Sequence, residues 1–155
     1  SGCCPFVTAW ENNAELVETE EHTIADSIAV GIPRNPVKGM KAVTESNGIY
    51  MSVSDDEIIN AMKLLGKTEG IFAEPAGATA LAGLVKAVEE HTVQPEEIIV
   101  VLATGNGLKD PQTFLNHIDQ VPLFDPIKMS TEMKKHNTFN DVLNYMKAVE
   151  VKQYE

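Results

Sequence analysis

The segment IIVVLATGNGLKDP, residues 98–111, constrains the fold more than any other. Six consecutive apolar residues, Ile98 to Ala103, run without a break into Thr104-Gly105-Asn106-Gly107. A continuous apolar run of this length, bounded by turn residues, reads as a strand buried on both faces. Strands of that kind lie at the centre of parallel sheets covered by helices, so the run implies an α/β architecture. Ligands of open α/β sheets bind outside the carboxyl ends of the strands. Thr104 falls at such an end, with a hydroxyl that can donate or accept a hydrogen bond. Gly105 and Gly107 permit backbone geometry and close approaches that other residues resist. Two readings stay open on pattern alone: a ligand-facing threonine beside a glycine floor, or a plain strand-to-loop turn. The phosphate-loop patterns G-x-x-x-x-G-K-[ST] and G-x-G-x-x-G are not met.

The rest of the chain supplies helices and one further strand. TIADSIAVG (residues 23–31) reads as a short helix capped by Thr23, with Asp26 against its positive end and Gly31 and Pro33 as its stop. NPVKGMKAVTESNG reads as a helix with Asn35 as cap, Pro36 at its first position and Gly48 past its end. Ile49–Ser54 reads as a short strand. Ser54 and Glu57 form a capping-box pattern that opens a helix carrying Ile58, Ile59, Met62 and Leu65, closed by Gly66 or Gly70. After a brief extended piece, Pro75 opens an Ala/Gly-rich helix whose small side chains suit close packing. Gly77 and Gly83 each cost about 1 kcal/mol of helix propensity relative to Ala, which such packing would offset. The order predicts a partial open twisted sheet, mostly parallel, flanked by helices.

The ends are less regular. PFVTAW near the start has strand or buried character, and ENNAELVETEE after it reads as a solvated acidic loop. Beyond Pro111 the pattern predicts a helix over PQTFLNHID, an extended VPLFDPIK, and an amphipathic helix over TFNDVLNYMKAVE with Thr138 and Asp141 as a cap pair. The expected division is residues 1–111 as one domain part and 112–155 as a tail with one or two helices.

The formal net charge of −11 argues against nucleic-acid partners and anionic membranes, both of which select basic faces. The longest apolar run is far too short to span a bilayer, and no signal-peptide pattern opens the sequence. Cys3 and Cys4, the two cysteines, are adjacent and poorly placed to bond each other; a reduced, cytoplasmic setting is expected. His22, His91, His117 and His136 are scattered without ligand spacing, so no metal site is expected. No Ser-His-Asp or Cys-His set is recognisable, and no catalytic residue is assigned. Glu74 precedes Pro75 at a helix start, where an acid also serves the helix dipole alone. Arg34, the single arginine, lies in the loop GIPRNP and reads as a surface residue rather than an anion ligand.

Three blocks, TIADSIAVGIPRNPVKGMKAV, VSDDEIINAMKLLGKTEGIFAEPAGATALAGL and VVLATGNGLKDP, together resemble the C-terminal part of threonine synthase. That family uses pyridoxal 5'-phosphate and has the type II fold, that of the tryptophan synthase β-like enzymes. The opening GCCPFVTAW is similar to the family's Gly-Cys-x-Pro segment, so the resemblance covers about residues 2–111. TGNGLKD is its most specific block; EPAGA is shared with serine and threonine dehydratases. The resemblance implies that Thr104 hydrogen-bonds the pyridine nitrogen of the cofactor and that Glu74 lies near its ring. A neutral hydroxyl there leaves the nitrogen largely unprotonated, which favours elimination and replacement at the β or γ carbon. The family's Ser-Phe-Lys-Asp motif, which carries the cofactor's lysine, has no match in this sequence. The lysine and the phosphate-cradling glycine loop are expected upstream of residue 1. The chain thus reads as the C-terminal part of a lyase of amino-acid biosynthesis converting O-phospho-L-homoserine and water to L-threonine and phosphate, inactive alone. The N-terminal half of the same enzyme would be its partner; without it, self-association or a tail helix covering part of the exposed apolar surface is expected. Alternatives are cysteate synthase (phosphoserine plus sulfite), a serine/threonine dehydratase, or a non-catalytic binding module.

Overall fold

The computed structural model of the chain describes residues 1–117, which form one compact unit. The expected loop at 121–128 and helix at 138–150 lie outside the described residues. Five α-helices are present: α1 (Pro5–Glu11), α2 (Pro36–Glu45), α3 (Asp55–Glu69), α4 (Pro75–Glu89) and α5 (Pro111–His117), with single 3-10 turns at Asp26–Ile28 and Gly107–Lys109. Among the described residues no helix is long and apolar enough to cross a membrane.

The centre of the unit is the packing of α3 against α4. Helix α3 is defined at both ends by its own sequence. The Ser54 hydroxyl accepts the Glu57 N–H at 3.2 Å, and the Glu57 carboxylate accepts the Ser54 N–H at 2.6 Å, closing the capping box. Gly70, rather than Gly66, ends it in the left-handed region at φ 66°, where a Cβ would be strained. Ile58, Ile59, Ala61, Met62 and Leu65 turn inward and meet Ala73, Ala76, Ala78 and Ala82 from α4 and the residues before it. Burial of each large apolar side chain stabilises the unit by about 1.5–3 kcal/mol. The alanines let the two helices approach closely. The rest wraps around this pair. Thr23 donates its hydroxyl to Asp55 at 2.5 Å, and the Ile24 N–H reaches the same carboxylate at 3.1 Å. Phe6 of α1 stacks on Tyr50 with centroids 5.4 Å apart, and Trp10 meets Tyr50 edge-on at 5.7 Å.

Several expectations need correction. PFVTAW is the helix α1. Its buried residues are Pro5, Val7 and Ala9, an every-second-residue pattern that mimics a strand in an element too short to show a helical period. TIADSIAVG forms one 3-10 turn, not a helix, because Thr23 is engaged by Asp55 and its oxygen accepts the Ala25 N–H at 3.2 Å. Gly48 lies past the end of α2 as expected, after Asn47 in the left-handed region at φ 53°. The acidic run is not wholly solvated: Glu21 accepts the Gly31 N–H at 2.9 Å, and Thr19 donates its N–H to the Gly31 carbonyl at 3.2 Å. The largest difference concerns the sheet. Residues 49–54 and 98–103 form no strand among the described residues; the single β contact is an isolated antiparallel bridge between Ala73 and Asn106. Ile98 is 97% exposed and Val100 81%. A strand needs an edge to pair with, and no described segment offers these residues one.

The capping box also makes stability pH-dependent. The Ser54 backbone N–H, then the Ser54 hydroxyl, hold the Glu57 carboxyl below its ordinary value. A depressed carboxylate stabilises the fold above its unfolded pKa, and that contribution is lost as pH falls through the folded pKa. Urea midpoints measured from neutral to acidic pH should fall more steeply for the wild type than for Glu57→Gln. Parallel curves would remove this role.

Candidate functional site

The site begins where Phe72, Ala73 and Glu74 meet the turn that follows the apolar run. The Glu74 N–H donates to the Gly105 carbonyl and the Gly107 N–H to the Phe72 carbonyl, both at 2.9 Å. These two bonds bring Gly105, the residue after Thr104, against Glu74. The turn is itself held: the Asn106 side-chain oxygen accepts the Leu108 N–H at 2.9 Å, and the Lys109 N–H reaches the Asn106 carbonyl at 3.1 Å. Phe72 and Phe114 pack edge to face at 4.6 Å, which ties α5 to the same corner.

Glycines are required at two points of this contact. A Cβ on Gly77 would stand 2.8 Å from both the N and the O of Gly105. A Cβ on Gly105 would overlap the Glu74 carboxylate. The first turn of α4 therefore lies directly on the backbone of the Thr104–Gly105 peptide. Gly83 differs, since nothing lies within 4 Å of its Cβ position; the close packing expected there is absent.

Glu74 is the one buried charged residue among the described residues, with 4% relative exposure. It is the N-cap of α4, yet its side chain makes no cap hydrogen bond. Its carboxylate instead pairs with the Lys109 ammonium at 3.1 Å. The helix N-terminus adds a favourable partial positive charge. Beside the pair a cavity of about 500 Å³ is bounded by Asp26, Ser27, Glu74, Lys109 and Asp110. Asp110 caps α5 by accepting the Thr113 N–H at 3.1 Å. Bonding to the Thr113 hydroxyl, then to that N–H, holds its carboxyl below the ordinary value.

Thr104 is exposed, and among the described residues its hydroxyl has no partner. A free, neutral hydroxyl on a backbone fixed by its neighbours is what a single hydrogen bond to an external group requires. Arg34 is not part of this corner. It is exposed, at the edge of a larger cavity of about 610 Å³ that also borders Cys3, Cys4, Tyr50 and Thr79. Both cysteines are free. Pattern reasoning missed Lys109 and Asn106 as structural partners. Glu74 and Lys109 are separated by 35 positions, so no local periodicity links them; the one available signal was that both fall in distinctive blocks.

The family described as pyridoxal-phosphate dependent enzyme matches residues 1–105. The chain belongs to this family. Similar proteins include the threonine synthase of Methanosarcina acetivorans, 40% identical over 126 residues that make up 80% of this chain and 31% of the relative. The threonine synthase of Methanocaldococcus jannaschii is 39% identical over 134 residues, 85% of this chain and 32% of the relative. The chain spans less than a third of each of these two curated relatives. Among solved structures, a fungal L-serine ammonia-lyase from Rhizomucor miehei superposes with a TM-score of 0.53 at 14% identity, covering 77% of this chain and 38% of that one. This likeness shows the fold. The cofactor of this pyridoxal-phosphate family can be tested against the residues present. The free Thr104 hydroxyl suits a ring nitrogen, and the Glu74 carboxylate fills the side of Gly105 where a side chain would stand. The described residues therefore fit one edge of the group.

Close contact between α4 and the turn makes opposite predictions for two glycines of one helix. Gly77→Ala should lower stability by about 1–3 kcal/mol through overpacking. Gly83→Ala should raise it by up to about 1 kcal/mol through helix propensity. Urea unfolding of both variants checks this; equal effects would show that α4 does not rest on Gly105.

Proposed function

We propose that the chain is the C-terminal part of the catalytic domain of a threonine-synthase-type enzyme, which converts O-phospho-L-homoserine and water to L-threonine and phosphate. Residues 1–111 belong to the cofactor-binding domain in this reading, and 112–155 are a tail. The observation that carries it is the bond from the Glu74 N–H to the Gly105 carbonyl, which brings the Thr104–Gly105 peptide to the N-terminus of α4 with the Thr104 hydroxyl left free among the described residues. The match to threonine synthases across most of the described residues supports the substrate.

When bound, pyridoxal phosphate supplies a ring that withdraws electrons from substrate carbons. Thr104 would hold the ring nitrogen through a neutral hydroxyl, which would leave that nitrogen largely unprotonated. Glu74, paired with Lys109, would lie near the ring. The glycine at 105 lets the backbone approach without a side chain. The lysine that holds the cofactor and the loop that cradles its phosphate come from the upstream half. The same half pairs with residues 98–103 and 49–54, completing a mostly parallel α/β sheet. Exposure of Ile98, Val100 and Leu102 supports this, since apolar side chains in a row gain from burial.

The test joins this chain to the upstream part of the Methanosarcina acetivorans threonine synthase and measures phosphate release from O-phospho-L-homoserine. Cofactor-dependent release is expected, and Thr104→Ala should lower kcat/KM by about 10²-fold. Turnover of phosphoserine with sulfite in place of O-phospho-L-homoserine would overturn the substrate. The unjoined chain, titrated with pyridoxal phosphate, should develop no saturable visible absorption band; a specific band would contradict the upstream placement of the lysine.

A further inference from the structure

We infer that Lys109 is a positioning residue: through its ion pair with Glu74 it locks the Gly105 backbone and so fixes where Thr104 presents its hydroxyl. The functional consequence rests on the cofactor reading above; the mechanical one stands on the geometry alone.

The contacts form a closed ring. From Gly105 the chain passes through Asn106, Gly107 and Leu108 to Lys109 in one 3-10 turn. The Lys109 ammonium crosses to the Glu74 carboxylate at 3.1 Å. The Glu74 carboxylate lies over the Cα of Gly105, so closely that a Cβ there would overlap it. The Glu74 N–H then returns to the Gly105 carbonyl at 2.9 Å. Every link of the ring is short, and the residue it encloses is a glycine, the type with most conformational freedom to lose.

Without Lys109 the ring has no closure. Glu74 makes no cap hydrogen bond of its own, and its side chain is 6% exposed. A buried carboxylate deprived of its cation is costly, which favours turning the side chain out to water. Turning out removes the atoms that cover Gly105. Thr104 precedes Gly105 directly, has no hydroxyl partner among the described residues, and follows a largely exposed run. Its position is thus inherited from Gly105. A displacement on the order of 1 Å at a group facing a reacting ligand can cost about 10²-fold in rate. The charge is at the surface end of the pair, since Lys109 is 60% exposed. Arg, also cationic and long, should therefore replace it.

Amide hydrogen exchange on the 155-residue chain tests this without cofactor or turnover. In Lys109→Met, the amides of Glu74 and Gly107, which carry the two bonds between α4's start and the turn, should exchange at least about tenfold faster. Those of Ile59 and Met62 in α3 should keep their wild-type rates, and Lys109→Arg should restore Glu74 and Gly107. Unchanged exchange at Glu74 and Gly107, acceleration spread through α3, or failure of Lys109→Arg to restore protection would each overturn the inference. In the joined enzyme Lys109→Met should lower kcat more than it raises KM. Loss of activity in Thr104→Ala is read separately, so a wrong cofactor assignment leaves the exchange result intact.

Discussion

The seating of the first turn of α4 on the Thr104–Gly105 peptide is the contact on which the described structure depends. It demands glycine on both sides, at 77 and at 105, because a Cβ at either would meet backbone or a carboxylate. It also buries Glu74, the residue before Pro75. Burial of a carboxylate in turn demands a cation, which Lys109 brings from the far side of the turn. One close approach thus accounts for two glycines, one buried acid and one lysine. On its other side α4 packs against α3 through alanines, so the turn at residues 104–107 is attached to the best-packed part of the molecule.

Helix starts were the most legible part of the fold. Pro36 and Pro75 at first positions and the Ser54–Glu57 capping box act locally, and local chemistry reads directly from order in the chain. Contacts made at a distance were not legible. Thr23 has the pattern of a helix cap, but Asp55, 32 positions away, takes its hydroxyl and the helix shrinks to one turn. The run Ile98–Ala103 has the composition of a central strand, yet composition states only what a segment would do beside a partner. Among the described residues it has none, and its side chains stand exposed. The approach of Glu74 to Gly105 was not legible in the sequence, since 31 positions separate them; the bridge between Ala73 and Asn106 lies beside it.

The family match and the geometry divide the work between them. Membership names the cofactor, and the structure shows a Thr104 hydroxyl without a partner among the described residues. Because the chain covers less than a third of the two threonine synthases compared, the proposed reaction belongs to an assembly larger than these residues. Thr104 is where the proposal is most exposed to test, since a neutral partner and an acidic one leave a pyridine nitrogen in different protonation states.

The direct measurement is the ¹⁵N chemical shift of the ring nitrogen in labelled pyridoxal phosphate bound to the enzyme that contains this chain. A value typical of unprotonated pyridine, moving toward the protonated value in Thr104→Asp, is expected. A protonated nitrogen in the wild type, unmoved by any substitution at Thr104, would contradict the proposed role of Thr104.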